Sequence, residues 1–315
     1  MIIGELQLVV KICLYIYGLN AEWNVDCIKM KQLSVIVLLL IHCLLLGAQT
    51  RYALIIGIGD YPEETGWAKI NGDNDILYVQ EMLLANSFHS ENIITLKNSE
   101  ATFNGIINGF DSIIQKAKSG DCVYIHFSGH GQRITDVDGD EKDSKYDEAW
   151  IPYDARKAFQ KGVYEGGNHL IDDKINELLW NIREKIGGGG NIVVVSDACH
   201  SGGSTRAESD SVVIRGTSDI FEIPIQERSN APSNKTDWVF ISACKSYQVN
   251  QEYADKSCGS LTYALYEERN SLNAISVADL FEKVKTNIGE MRLHSYQTPT
   301  LECPNEELKN RPLIK

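Results

Sequence analysis

The sequence predicts an α/β fold built on a largely parallel sheet, and three observations carry that reading. Tyr52-Ala53-Leu54-Ile55-Ile56-Gly57-Ile58 is a continuous apolar run of the kind found in strands covered on both faces. Two later runs, Val123-Tyr124-Ile125-His126-Phe127 and Val193-Val194-Val195, have the same build. Between the first two lie apolar residues at helical spacing, Ile76, Val79, Leu83 and Leu84, then Ile106, Ile107, Phe110, Ile113 and Ile114. Strand and helix alternate, which is the rhythm of parallel strands joined by crossover helices.

The remaining elements follow the same logic. Asn92 to Leu96 reads as the second strand, Trp238 to Ala243 as the fifth, and Gln297 to Leu301 as a short closing extended piece. Ile171-Asp172-Asp173 opens a helix that carries Ile175, Leu178, Leu179 and Ile182, with acids in its first turn to suit the positive end of the helix dipole. Further helices are expected near 260 to 268 and 276 to 289. Gly187 to Gly190 ends a helix and enters a strand, the reverse of a phosphate loop, so it reads as a turn. Asp136 to Glu148 reads as a long polar insertion. Residues 200 to 236, rich in Ser, Thr, Gly and Asn, read as a mobile loop on the side where the strands end.

A chain of 315 residues can bury a substantial core. Its net charge of -13 and pI near 5.0 argue against nucleic acid as a partner, because phosphate binding needs a basic surface. From Met30, flanked by Lys29 and Lys31, the apolar run Leu33 to Leu46 followed by Gly47-Ala48 has the outline of a secretory signal. The expected organisation is therefore an upstream extension over 1–29, a signal peptide over 30–48 and one catalytic domain over 51–310. The chain is expected to be secreted or held in the cell envelope. Membrane contact is expected only through the signal segment if it stays uncleaved. Beyond that segment lie Cys122, Cys199, Cys244, Cys258 and Cys303, an odd set that leaves at least one thiol unpaired. Cys122 and Cys244 read as small buried hydrophobes.

Two apolar strands end in chemistry. One runs into Ser128-Gly129-His130-Gly131, the other into Asp197-Ala198-Cys199-His200-Ser201-Gly202. In an open α/β sheet, ligands bind beyond the carboxyl ends of the strands, so His130 and Cys199 are expected to share a crevice. A thiolate beside an imidazole is the nucleophile–base pair of acyl transfer. The glycines let backbone N–H groups approach a substrate, and those of Gly131 and Cys199 are the expected oxyanion donors. Asp197, two residues before the nucleophile and on the same strand face, is expected beside the pocket for the residue preceding the cut, where it favours Arg or Lys. The dense acids Asp136, Asp138, Asp140, Asp143 and Asp147 suit a hard cation, although the loop lacks the glycine spacing of an EF-hand.

These two motifs resemble those of the caspase-like cysteine peptidases, and specifically the metacaspase branch. Asn71-Gly72-Asp73-Asn74-Asp75, Tyr146-Asp147-Glu148, Ile171-Asp172-Asp173, Gly259 to Leu265 and Gln297-Thr298-Pro299 fall in that branch's order. The resemblance implies a caspase-like three-layer sandwich with a mostly parallel six-stranded sheet flanked by helices. It implies a monomeric cysteine endopeptidase acting on proteins or peptides with Arg or Lys at the cleavage site. It places Asp75, Asp197 and Ser242 in substrate binding and Asp143, Asp147, Asp172 and Asp173 at calcium, which would activate the enzyme without taking part in the chemistry. Arg206, at the position of one further calcium-binding acid, departs from the pattern, as does Asp197 from the Gln of caspases proper. Arg206, Arg215 and Arg228 mark the 200 to 236 loop for self-cleavage. The alternatives are a clostripain- or legumain-like relative of different specificity, or a caspase fold used only for binding.

Overall fold

The computed structural model describes residues 49–137, 139, 145–199, 212–224, 236–291, 293, 296–303 and 305–314. The expected signal segment and upstream extension lie outside them. The central sheet is assembled from β1 (Arg51–Gly57), β2 (Ile93–Lys97), β3 (Cys122–Ser128), β7 (Asn191–Asp197), β8 (Val239–Ser242) and β11 (Thr300–Glu302). Their order across the sheet is β11-β8-β7-β3-β1-β2. Every neighbouring pair is parallel except β11 and β8. This is the expected six-stranded, mostly parallel sheet.

The two-residue period of each strand sorts the core into two layers. Leu54, Ile56, Val123, Ile125, Phe127, Ile192 and Val194 face one side. There they meet Ile106, Phe110 and Ile113 of α2 (Phe103–Lys116) and Ile175, Leu178, Leu179 and Ile182 of α3 (Asp172–Ile186). Ala53, Ile55, Tyr124, Val193 and Val195 face the other side. They meet α1 (Asp75–Ala85), α4 (Ser260–Glu267) and α5 (Val277–Glu290) through Val79, Leu83, Leu261, Leu265, Leu280 and Val284. Helices on both faces explain why the strands read as unbroken apolar runs rather than alternating ones. Side-chain caps set two helix starts: Thr102 accepts from the Gly105 N–H and Ser276 from the Asp279 N–H. The run Gly187 to Gly190 is the turn expected, with Gly187 at φ +63° and its N–H donating to the Arg183 carbonyl. A short helix, α6 (Glu306–Lys309), closes the chain.

Two expectations needed correction. The polar insertion over 136–148 is flanked by sheet, and its end, 146–148, is strand: β4 (Gly131–Thr135) pairs antiparallel with β5 (Tyr146–Trp150), and β5 with β6 (Leu170–Ile171), while Asp138 and 140–144 lie outside the described residues. The signal for β4 was a faint alternation, with Gln132 and Ile134 buried between half-exposed Arg133 and Thr135. Second, the stretch 212–224 within the expected mobile loop is pinned. Phe221 is buried and bridges Ile134, and Ile214 bridges Gln251 beside the hairpin of β9 (Glu252–Tyr253) and β10 (Cys258–Gly259). Arg206 and Arg228 lie outside the described residues.

Candidate active site

The register of the sheet places the two expected catalytic residues just past neighbouring strand ends. Ser128 at the end of β3 pairs with Asp197 at the end of β7. His130 and Cys199 therefore each stand two residues past one paired position, at the carboxyl edge of neighbouring strands. Both are buried.

His130 is held on every side but one. Its ring stacks on Trp67 at 4.7 Å and 26°, and lies 5.0 Å from the Tyr61 ring. Its backbone N–H donates to the Tyr61 hydroxyl (3.0 Å), which donates in turn to the Ile151 carbonyl (2.9 Å). Nε2 lies 2.9 Å from the Ala68 carbonyl oxygen. A carbonyl only accepts, so Nε2 carries the proton and Nδ1 keeps its lone pair. Nδ1 is buried and has no hydrogen-bond partner among the described residues. Burial pushes the imidazole pKa down to about 4, so the ring is neutral near pH 7 and able to accept a proton.

Cys199 is fixed by its backbone and its sulfur. Its N–H donates to the Arg215 carbonyl (2.8 Å), so one of the two expected oxyanion donors does meet a carbonyl. Gly131 opens β4 opposite Trp150. The Cys199 thiol donates to the Gln248 carbonyl (2.9 Å), and Cys244 Sγ lies 3.5 Å away. Cys244 is buried as expected, and it stands beside Cys199 rather than serving as plain filling.

Arg215, expected in a mobile loop, is fully buried in an acidic pocket. Asp75 takes the guanidinium with two oxygens, at 2.6 Å from Nη1 and 3.2 Å from Nη2. Asp197 Oδ1 stands 3.6 Å from Nη1, and Glu252 Oε1 accepts from Nε at 3.0 Å. Burial works against the Arg215 charge, but the three carboxylates, Asp75 foremost, outweigh it and hold the group protonated. Burial also raises the Asp75 carboxyl above its ordinary value, with Arg215 opposing. Gly259 makes room: a Cβ there would stand 2.1 Å from Asp197 Oδ2 and 2.6 Å from Arg215 Nη1.

The acids are themselves held by buried neutral groups. Ser128 donates to Asp75 (2.7 Å), Asn250 donates to Asp197 (2.7 Å), and the Thr262 N–H donates to Asp197 (2.7 Å). Asn71 holds Glu252 through its backbone N–H (2.7 Å) and its side-chain amide. Gln297, in a motif singled out from the sequence, donates to Asn250 and to the Ala243 carbonyl. Of the expected substrate-binding residues, Asp75 and Asp197 share this pocket. Ser242 lies elsewhere, lining a separate pocket of about 350 Å³ with Cys199, Cys244, Lys245 and Tyr247. Glu252 escaped the sequence reading, because an Asn-Gln-Glu run after a strand looks like any polar loop.

Residues 213–215 lie as a strand along 250–252. The Arg215 N–H donates to the Asn250 carbonyl (3.0 Å), the Glu252 N–H donates to the Val213 carbonyl (3.0 Å), and Ile214 bridges Gln251 antiparallel. The next residue, Gly216, passes so close to Cys199 that a Cβ on it would stand 2.2 Å from the Cys199 oxygen and 3.1 Å from the Cys199 Cβ. Of the expected metal ligands, Asp143 lies outside the described residues. Asp147 at β5 and Asp172 and Asp173 in the first turn of α3 converge, with one carboxylate oxygen from each within 4.8 Å of the others.

The fold and site define a class, and comparison with known proteins names it. The family model for the caspase domain matches residues 50–309. The chain belongs to that family of cysteine peptidases, and it is similar to several metacaspases. It is 32% identical over 158 residues to Metacaspase-7 of Arabidopsis thaliana, a match covering 48% of this chain and 34% of the relative. It is 30% identical over 161 residues to Metacaspase-1A of Aspergillus oryzae, covering 49% and 35%. It is 32% identical over 158 residues to Metacaspase III c of Phaeodactylum tricornutum, covering 49% and 43%. The matched stretch thus spans between about a third and somewhat over two fifths of these relatives. A crystal structure of a Geobacter sulfurreducens protein superposes with a TM-score of 0.59 at 22% identity, over 84% of this chain and 98% of that one, which shows the same fold.

Proposed function

We propose that this chain is an endopeptidase that cuts after arginine, and less readily after lysine, through Cys199 and His130, and that it cuts itself between Arg215 and Gly216. The observation that carries this reading is the pose of Arg215. Its guanidinium fills a pocket of three carboxylates, its carbonyl oxygen rests on the Cys199 N–H, and its strand is paired along 250–252. A peptide bond held in that way is positioned for attack.

In the reaction, the Cys199 thiol gives its proton to His130 Nδ1 and its sulfur attacks the Arg215 carbonyl carbon. Charge developing on the carbonyl oxygen falls beside the Cys199 N–H. The C–N bond breaks as His130 returns the proton to the Gly216 amine, and water then hydrolyses the thioester. Departure of the 213–216 strand leaves the same pocket open to other chains. The neutral state of buried His130 supports its role as the base.

The convergence of Asp147, Asp172 and Asp173 supports calcium as an activator, since clustered carboxylate oxygens suit a hard cation. Calcium would serve there as a structural ion. Residues 30–48 support export followed by removal of that segment.

The test is hydrolysis of fluorogenic peptides ending in Arg, Lys, Asp or Asn, with calcium present or chelated and Cys199→Ala alongside. Turnover after Arg above Lys, raised by calcium and lost in Cys199→Ala, is expected. Turnover after Asn would assign the chain a legumain-like specificity. A chain that stays whole and inert in every condition would leave a binding module. Export is read by sequencing the N-terminus of the exported product, expected near Gln49.

A further inference from the structure

Cys244 has no part in the hydrolysis described above, yet it stands against the nucleophile. Cys199 follows β7 and Cys244 follows β8, two adjacent parallel strands whose ends are tied by Ser196 pairing with Ser242 and by the Ala243 N–H donating to the Ser196 carbonyl (3.0 Å). This tie brings the two sulfurs to 3.5 Å, and both lie within reach of the Gln248 carbonyl, at 2.9 Å from Cys199 and 3.5 Å from Cys244. The same two side chains line the pocket of about 350 Å³ that also holds Ser242, Lys245 and Tyr247, a space ample for a small oxidant. None of the five described cysteines forms a disulfide in this structure.

We propose that Cys199 and Cys244 are a redox pair: a hydroperoxide oxidises Cys199, and Cys244 resolves it to a reversible disulfide that switches the peptidase off and shields its nucleophile from irreversible damage. The hydrogen bond that Cys244 donates to Cys199, together with burial, pushes the Cys244 thiol well above its usual range, which suits a thiol that acts second.

The chemistry balances. The Cys199 sulfur attacks hydrogen peroxide, the O–O bond breaks, and one oxygen stays as sulfenic acid while the other leaves as water. The Cys244 sulfur then attacks the Cys199 sulfur, the S–O bond breaks, and the hydroxyl leaves as a second water with the Cys244 proton. Two thiols lose two electrons to one peroxide. The sulfurs close from 3.5 Å to the roughly 2.05 Å of a disulfide, an approach of adjacent loop ends that leaves the sheet intact. Sulfenic acid without a partner thiol goes on to sulfinic acid, which common reductants do not reverse.

The disulfide itself does not depend on the peptidase reading; only the loss of hydrolysis rests on it. The experiment treats the intact protein with equimolar hydrogen peroxide, alkylates remaining thiols and maps peptides without reduction. A cross-linked peptide joining Cys199 to Cys244 is expected, with hydrolysis falling at least about tenfold and returning on dithiothreitol. After excess peroxide and then dithiothreitol, wild type is expected to recover, whereas Cys244→Ala keeps a sulfinic acid on Cys199. Alkylated Cys244 beside a sulfinic Cys199 in the wild type would overturn the proposal. If the untreated protein hydrolyses nothing, the peptidase reading fails while the cross-link map still decides the redox one.

Discussion

The carbonyl oxygen of Arg215 accepts a hydrogen bond from the backbone N–H of Cys199 at 2.8 Å, so the peptide bond after Arg215 lies beside the proposed nucleophile. The residue after that bond is a glycine because nothing larger fits: the obstructing Cys199 atoms are backbone and Cβ, which cannot swing aside.

Gly216→Val is expected to lift the 213–216 strand out of the groove. Self-cleavage at 215–216 should slow at least about tenfold, a barrier increase of roughly 1.4 kcal/mol. Gel analysis over time, with sequencing of the new N-terminus, checks this. Cleavage at an unchanged rate would mean that the pose is not the reactive one.

Glu252→Gln tests what sets arginine above lysine. The Glu252 carboxylate accepts from Nε of Arg215, a donor that lysine does not have at that depth of the pocket. Loss of a charged hydrogen bond of about 1.5–3 kcal/mol should lower the Arg-to-Lys ratio of kcat/KM by about tenfold or more. An unchanged ratio would assign the discrimination to Asp75 and Asp197 alone.

Removing the cation from the acidic pocket should cost far more than removing a surface charge. Arg215→Met leaves Asp75, Asp197 and Glu252 buried together, and breaking such a buried arrangement costs about 3–5 kcal/mol. Urea unfolding of uncleaved protein in the Cys199→Ala background measures it. A loss under about 1 kcal/mol would show that these acids are solvated once Arg215 is gone.

Acid should destabilise the fold through its histidines. Burial lowers the pKa of His126, His130 and His169 to about 4 each. Between about pH 6.5 and 4 the unfolded chain binds protons that the folded chain refuses, so stability falls as pH falls through that window. Each histidine contributes roughly 1.4 kcal/mol per pH unit there, and none above it. Thermal unfolding from pH 7 to pH 4.5 should show a falling Tm, and a flat profile would mean that the rings take up protons in place.

The sequence by itself determined the sheet and its two reactive strand ends. Strands buried on both faces must be apolar throughout, and a His or Cys that breaks such a run beside glycines stands out, so β1, β3, β7, His130 and Cys199 were all legible. Asp197 was legible from its place on the strand face beside Cys199, and Asp75 only with the family resemblance in hand. The hairpin of β4 and β5 was not, because its short alternation is masked by the acidic residues that follow. Only the tertiary structure decided the placement of Arg215, Glu252 and Cys244. They come from segments that are ordinary polar loop or strand-end filling when read locally, and they acquire meaning through pairing of 213–215 with 250–252 and of β7 with β8. Those are contacts between parts of the chain whose sequence spacing carries no trace of them.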